Sequence, residues 1–203
     1  VPLRRGAQDI RRGRCGGPCA RAADGFLLDP LPLRRGTGRG GGPEGGVPRR
    51  KVPIHEVFFD AENRRYASSS QIDMIYPMLV GATPSSLMAG VKDALFEESA
   101  GRFNGHIATG LVGISILTQW ATQNQEAEYV YGMLKKRTYP GYLYMMDNGA
   151  TLTWEEWDGE RSQLHNCYNA IGSWFIQALA GIVPDESVPG YGHFFIRPQL
   201  VEG

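Results

Sequence analysis

The chain has 203 residues, and its 21 Lys and Arg balance 21 Asp and Glu to a formal net charge of zero. That zero is a cancellation: residues 1–52 carry twelve basic and four acidic side chains, for +8, and residues 53–203 carry nine and seventeen, for −8. No run reaches the ~18 apolar residues of a membrane span, and three cysteines are too few for a disulfide framework.

The first residue is Val, not Met, and the sequence reads as a piece of a longer or processed product. Val1 to Lys51 is rich in Arg, Gly and Pro and has neither a helical nor an alternating pattern. Such a segment buries too little apolar surface to offset the entropy of ordering, so it is expected to be disordered. Its apolar stretch, Gly25 to Leu33, is short and broken by Asp29, Pro30 and Pro32, unlike a secretory signal. Arg34-Arg35-Gly36-Thr37-Gly38-Arg39-Gly40 resembles a short Arg/Gly nucleic-acid tract, but only Phe26 is available for base stacking, which disfavours that role. Cys15 and Cys19 are one residue too far apart for a Cys-x-x-Cys motif and have no second pair for zinc; they read as incidental thiols.

From Ser68 the pattern becomes helical. Ser68 to Ser70 offer caps, Ile72, Ile75, Met78 and Leu79 recur at helical spacing, and Gly81 stops the run. Thr83-Pro84 predicts a restart with Thr as N-cap and Pro at the first position, followed by a stripe of Leu87, Val91, Leu95 and Phe96. Ile107 to Gln123 is apolar almost all round, which predicts a buried helix. Glu126 to Lys136 predicts a fourth helix, with basic residues 135–137 where the dipole favours them. Asn169 to Ala180 predicts a fifth, with Ile171, Phe175, Ile176 and Leu179 on one side. Between these lies a long predicted loop, Thr138 to His165, and His193 to Arg197 reads as a strand without a partner.

The loop mixes Tyr139, Tyr142, Tyr144, Trp154 and Trp157 with Asp147, Glu155, Glu156, Asp158 and Glu160. Rings stack on the apolar faces of sugars and carboxylates move protons, so this composition suits a carbohydrate site. The same residues also suit core anchors and a solvated turn.

The order of the motifs carries a resemblance. Gly105-His106-Ile107-Ala108-Thr109-Gly110, Thr138-Tyr139-Pro140-Gly141-Tyr142, Asn148-Gly149-Ala150-Thr151 and Trp154-Glu155-Glu156-Trp157-Asp158-Gly159 resemble the catalytic domain of bacterial-type α-L-rhamnosidases, glycoside hydrolase family 78. The similarity continues through His165, Gly172, Trp174-Phe175, Pro189-Gly190-Tyr191 and Ile196-Arg197-Pro198.

The resemblance implies a mainly α fold, part of an (α/α)6 six-hairpin barrel, with a stub of a C-terminal β-sandwich. Residues 1–55 would be the disordered segment, 56–188 the partial catalytic domain and 189–203 the start of the β domain. It implies an inverting hydrolase of terminal α-L-rhamnose in which Glu155 is the general base. His165 would contact the sugar, and Trp157 and Tyr142 would wall the pocket; His106 matches a motif position that fits capping or packing equally. Glu156 stands where the family often has Arg, and Asn169 and Ser173 where Gly and Glu are common.

The resemblance implies no cofactor or metal, and a rhamnosylated glycoside or oligosaccharide as partner. The family's general-acid stretch, Asp-x-Pro-x-Arg-(Asp/Glu)-Arg, has no counterpart in residues 1–65, so the 203-residue chain is expected to be inactive alone. Such a partial barrel would expose apolar helix faces and favour self-association. The alternatives are a non-catalytic carbohydrate-binding or helical interaction module, and a six-hairpin enzyme for another sugar.

Overall fold

A computed structural model describes residues 52–202. The expected disorder of the leader and the Cys15–Cys19 pair fall outside the described residues, apart from the last few positions before residue 56. There a helix, α1 (Val52–Phe58), runs into a small antiparallel ladder of β1 (Phe59–Asp60) and β2 (Arg65–Tyr66), with Phe59 opposite Tyr66. The side chain of Asp60 closes the turn by accepting from the backbone of Glu62 and Asn63. His55 stacks on Phe59 and bonds the Tyr66 hydroxyl at 2.8 Å, which ties α1 to the core.

Helix α2 (Gln71–Leu79) starts where its serines predict. Ser70 is the N-cap, and its hydroxyl accepts from the Asp73 amide at 3.1 Å. Its buried stripe is Gln71, Met74, Ile75 and Met78, one residue round from the predicted one, and Ile72 is only half-buried. The reason is Gln71, whose fully buried amide is consumed by backbone groups of residues 106 and 108.

The next helix, α3 (Met88–Ala100), begins a turn later than Thr83-Pro84 predicts. Thr83 does not cap it, because its Oγ1 accepts from the Tyr66 hydroxyl at 3.0 Å. Pro84 instead opens a tight turn closed by the Leu87 amide. Val91 and Leu95 are buried as expected.

Residues 107–110 are extended, and α4 runs Leu111–Asn124. It packs closely on α2 at Gly113, where a Cβ would fall 2.8 Å from Ile72 and closer still to Thr109. This helix is not buried all round. Ile114, Leu117, Trp120 and Ala121 face the core, while Leu111 and Val112 are 42% and 59% exposed. Helix α5 (Ala127–Leu134) buries Ala127, Val130 and Met133 and is joined to α3 by a Lys92–Glu126 ion pair.

The segment predicted as one long loop holds a short helix, α6 (Tyr142–Asp147). Asn148 caps it, and Gly149 at φ +89° carries the chain away, so Asp147-Asn148-Gly149 is a helix stop. Helix α7 (Ile171–Trp174) passes directly into a π turn, Phe175–Leu179. The wide turn shifts the face: Trp174 and Ala178 are fully buried, and the predicted core residues Phe175 and Ile176 are about half exposed.

The strand predicted to stand alone has a partner. Strand β3 (Ile182–Pro184) pairs antiparallel with β4 (Phe194–Ile196), Val183 opposite Phe195. Residues 199–202 then return to the helices. The Gln199 side chain donates to the Thr122 carbonyl at 2.8 Å and the Glu202 amide to Glu128 at 3.0 Å. The described residues are therefore mainly helical, and their helices fall short of the twelve that close an (α/α)6 barrel.

Candidate active site

The chain between α6 and α7 folds into a loop whose base is sewn by two backbone rungs. The His165 amide donates to the Thr153 carbonyl at 2.9 Å, and the Glu155 amide donates to the Ser162 carbonyl at 2.8 Å. Thr153 and His165 are thus paired, with Glu155 two residues further along the same ladder. The turn beyond is held by Gly159 (φ +74°), which lies flat on the Trp154 ring. Trp154 itself is buried beneath it.

Trp157 sits at the tip but points inward. It is 8% exposed, stacks on Tyr168 (centroids 4.0 Å, planes 26° apart) and meets Tyr142 edge-on at 5.2 Å. Its Nε1 donates to the Thr109 carbonyl at 3.1 Å, pinning the loop to the start of α4. Tyr142 donates its hydroxyl to the Tyr168 carbonyl at 2.7 Å. Burial raises the Tyr142 ionisation far above the phenol range and pushes Tyr168 up to about 12, so both rings stay neutral. Trp157 and Tyr142 are brought together, in one aromatic cluster. Its third member, Tyr168, carries no spacing signal in the sequence.

Glu155 and His165 are both half-buried. Among the described residues, the Glu155 carboxylate receives only a long contact, 3.4 Å, from the Ser162 amide. Its acceptor capacity is therefore almost unspent, as a group that takes a proton from water requires. The Cys167 amide donates to His165 Nδ1 at 3.2 Å. A neutral ring in this setting carries its proton on Nε2, which faces outward from that bond as a donor for a hydroxyl.

His106 stands apart. It is 7% exposed, its Nε2 lies 2.7 Å from Thr138 Oγ1, and its Nδ1 lies 3.2 Å from the Phe103 carbonyl. Both nitrogens are engaged, so it packs and ties residues 103–106 to 138. Gln71 completes this fixing: Nε2 donates to the His106 carbonyl at 2.9 Å and Oε1 accepts from the Ala108 amide at 2.8 Å. A buried glutamine in the first turn of a helix gives no sequence signal of such a role.

The comparisons with known proteins agree with this architecture. Residues 49–179 match the family described as the bacterial alpha-L-rhamnosidase 6 hairpin glycosidase domain. The chain is 34% identical over 106 residues to an alpha-L-rhamnosidase of Alteromonas sp. (strain LOR), covering 47% of this chain and 11% of that protein. It is 30% identical over 156 residues to one of Formosa agariphila, covering 71% of this chain and 16% of that protein. The solved structure of alpha-L-rhamnosidase from Dictyoglumus thermophilum superposes with a TM-score of 0.67 at 26% identity, over 75% of this chain and 18% of its own. The chain thus spans less than a fifth of each of these relatives. It belongs to the bacterial α-L-rhamnosidase six-hairpin glycosidase family.

Proposed function

We propose that this chain carries the general-base half of an inverting α-L-rhamnoside hydrolase site. Glu155 takes a proton from the attacking water, His165 Nε2 donates to a sugar hydroxyl, and the Trp157–Tyr142–Tyr168 cluster backs the pocket. The observation that carries this reading is the laddered loop, which sets an under-used carboxylate and a histidine of fixed tautomer at one base. In an inverting reaction the base deprotonates water as it attacks the anomeric carbon, and a second carboxyl group protonates the departing oxygen. The two carboxyls stand about 6.5–9.5 Å apart, leaving room for that water.

The nearest other acids are poor candidates for the second role. Glu156 is paired with Arg161 at 2.7 Å, and Asp158 accepts from the Glu160 amide at the exposed tip. The proposal is therefore that the 203-residue chain binds L-rhamnose and does not turn over an aryl α-L-rhamnoside. Rhamnose binding weakened by His165→Ala, with no hydrolysis, is the expected result. Hydrolysis abolished by Glu155→Gln would overturn the inactivity, and absence of His165-dependent rhamnose binding would overturn the site.

A further inference from the structure

Among the described residues, His165 is held at every polar group but one. Its amide donates to the Thr153 carbonyl at 2.9 Å, its carbonyl accepts from the Thr153 hydroxyl, and its Nδ1 accepts from the Cys167 amide at 3.2 Å. Nε2 is the group left to meet a ligand. Thr153 therefore grips both ends of the His165 main chain, with its backbone oxygen on one side and its hydroxyl on the other.

Thr153 is gripped in turn. Its Oγ1 lies 2.7 Å from the side-chain amide of Asn169, two residues before α7. A threonine hydroxyl has one proton to give and lone pairs with which to receive. The His165 carbonyl can only accept, whereas an asparagine side chain can do either. The hydroxyl proton therefore lies towards His165, and the Asn169 amide meets Oγ1 with its NH2 group. The result is a directed relay, from Asn169 Nδ2 to Thr153 Oγ1 to the His165 carbonyl, in which each bond polarises the next. Asn169 is itself anchored: its backbone amide donates to the Asn166 carbonyl at 3.0 Å, and its carbonyl accepts from the Gly172 amide at 2.9 Å. The glycine common at this position in the family would bring no such donor.

From this geometry we infer that Asn169 is a positioning residue for the His165 ring, acting through Thr153 rather than on the sugar. The inference rests on the rhamnoside reading for what Nε2 meets, and on the relay alone for how Nε2 is aimed. A half-buried histidine has two side-chain torsions and two neutral tautomers to settle. Fixing its main chain at both ends sets where the torsions begin. Keeping the Cys167 N–H on Nδ1 sets the tautomer. Without the relay the His165 carbonyl turns to water, the 165–167 turn loosens, and Nδ1 exchanges its protein partner for solvent. The Glu155–Ser162 rung lies further along the ladder and takes no part.

The test uses the 203-residue chain and four variants. Thr153→Val removes the hydroxyl at constant shape, and Thr153→Ser keeps it. Asn169→Ala removes the donor, and Asn169→Asp offers an acceptor where the relay needs a donor. Side-chain nitrogen NMR reads the His165 tautomer, hydrogen exchange reads the Cys167 and Glu155 amides, and titration with L-rhamnose reads the use of the ring. In Thr153→Val and Asn169→Asp the Cys167 amide is expected to exchange about fivefold faster, the order of one hydrogen bond. The His165 ring should become a mixture of tautomers, and rhamnose should bind about fivefold more weakly. The Glu155 amide should exchange as in the parent, which a general loosening of the loop would not allow. Thr153→Ser should restore the parent values, and Asn169→Ala should fall between the parent and Asn169→Asp, because it withdraws a donor without competing for the proton. Parent-like exchange and tautomer in Thr153→Val or in Asn169→Asp overturns the relay. Equal acceleration at the Cys167 and Glu155 amides reduces the link to loop stability and overturns the positioning role. Failure of rhamnose to bind the parent chain would instead count against the rhamnoside reading, and the tautomer and exchange data would still decide the relay.

Discussion

Trp157 lies flat on Tyr168, with ring centroids 4.0 Å apart, while its indole N–H reaches across to the Thr109 carbonyl. One side chain therefore joins its own loop, the residues just before α7 and those just before α4. Trp157→Phe keeps most of the stacking and orphans the carbonyl, at a cost of about 1–2 kcal/mol. Trp157→Ala empties the site and should cost about 3–5 kcal/mol. Thermal unfolding measured by circular dichroism orders the two; equal losses would show that the ring packs no better than its hydrogen bond.

Gln71 makes the second such join, from α2 to the extended residues 106–108. Gln71→Leu fills the space but leaves the Ala108 N–H and His106 carbonyl buried without partners, so about 2–4 kcal/mol should be lost. Gln119→Leu, on the exposed face of α4, should stay within about 0.5 kcal/mol. Urea midpoints for both variants check the contrast, and a neutral Gln71→Leu would show that these two hydrogen bonds add nothing to the stability of the fold.

These two residues show where the sequence was legible. Helices α2 to α5 follow from apolar spacing because their packing is local and periodic. Ser70 starts α2 as its serines predict, because capping is chemistry of adjacent residues. The half-exposed Phe175 and Ile176 were not legible, because a π turn changes the period within the helix. Strand β4 looked alone because β3 is three residues long and contains a proline. Glu155, His165, Trp157 and Tyr142 came from ordered motifs, and the ladder joining Thr153 to His165 gives Glu155 and His165 a shared base. Tyr168 and Gln71 act through contacts across 11 and 35 or more positions, which no local pattern encodes.

Two buried phenols should make the fold sensitive to alkali. Burial pushes Tyr129 and Tyr168 up to about 12, with the Ser99 hydrogen bond partly offsetting the rise at Tyr129. The folded state holds their protons more tightly than the unfolded chain, whose phenols titrate near 10. This stability is complete below pH 10 and is lost as pH rises from 10 towards 12. Phenolate absorbance followed together with circular dichroism should show the last tyrosines ionising only as the helices melt. Complete ionisation with the helical signal intact would contradict it.

The β3–β4 hairpin should respond at the other end of the scale. Asp185 is held down to about 2, first by the Ser187 hydroxyl and then by His193. A carboxyl that ionises more readily when folded favours the folded state above its ordinary value of 3.8, and that preference fades as pH falls towards 2. Carboxyl NMR titration should find a midpoint near 2. Ser187→Ala should raise it more than His193→Ala does, and the reverse order would place the histidine as the main partner.

Gly159 tests whether loop shape governs the site. It takes φ +74°, and a Cβ there would fall 2.7 Å from the Trp154 ring. Gly159→Ala therefore pays twice, for a strained backbone at about 1–3 kcal/mol and for a displaced indole. Trp154 adjoins Glu155, and its carbonyl lies 3.7 Å from Cys167 Sγ, the residue whose amide fixes His165. Displacing the indole should disturb base and histidine together. The expected outcome is a lower melting temperature with rhamnose binding weakened at least tenfold. A less stable variant that binds rhamnose as tightly as the parent would show that Glu155 and His165 are held by their backbone rungs alone.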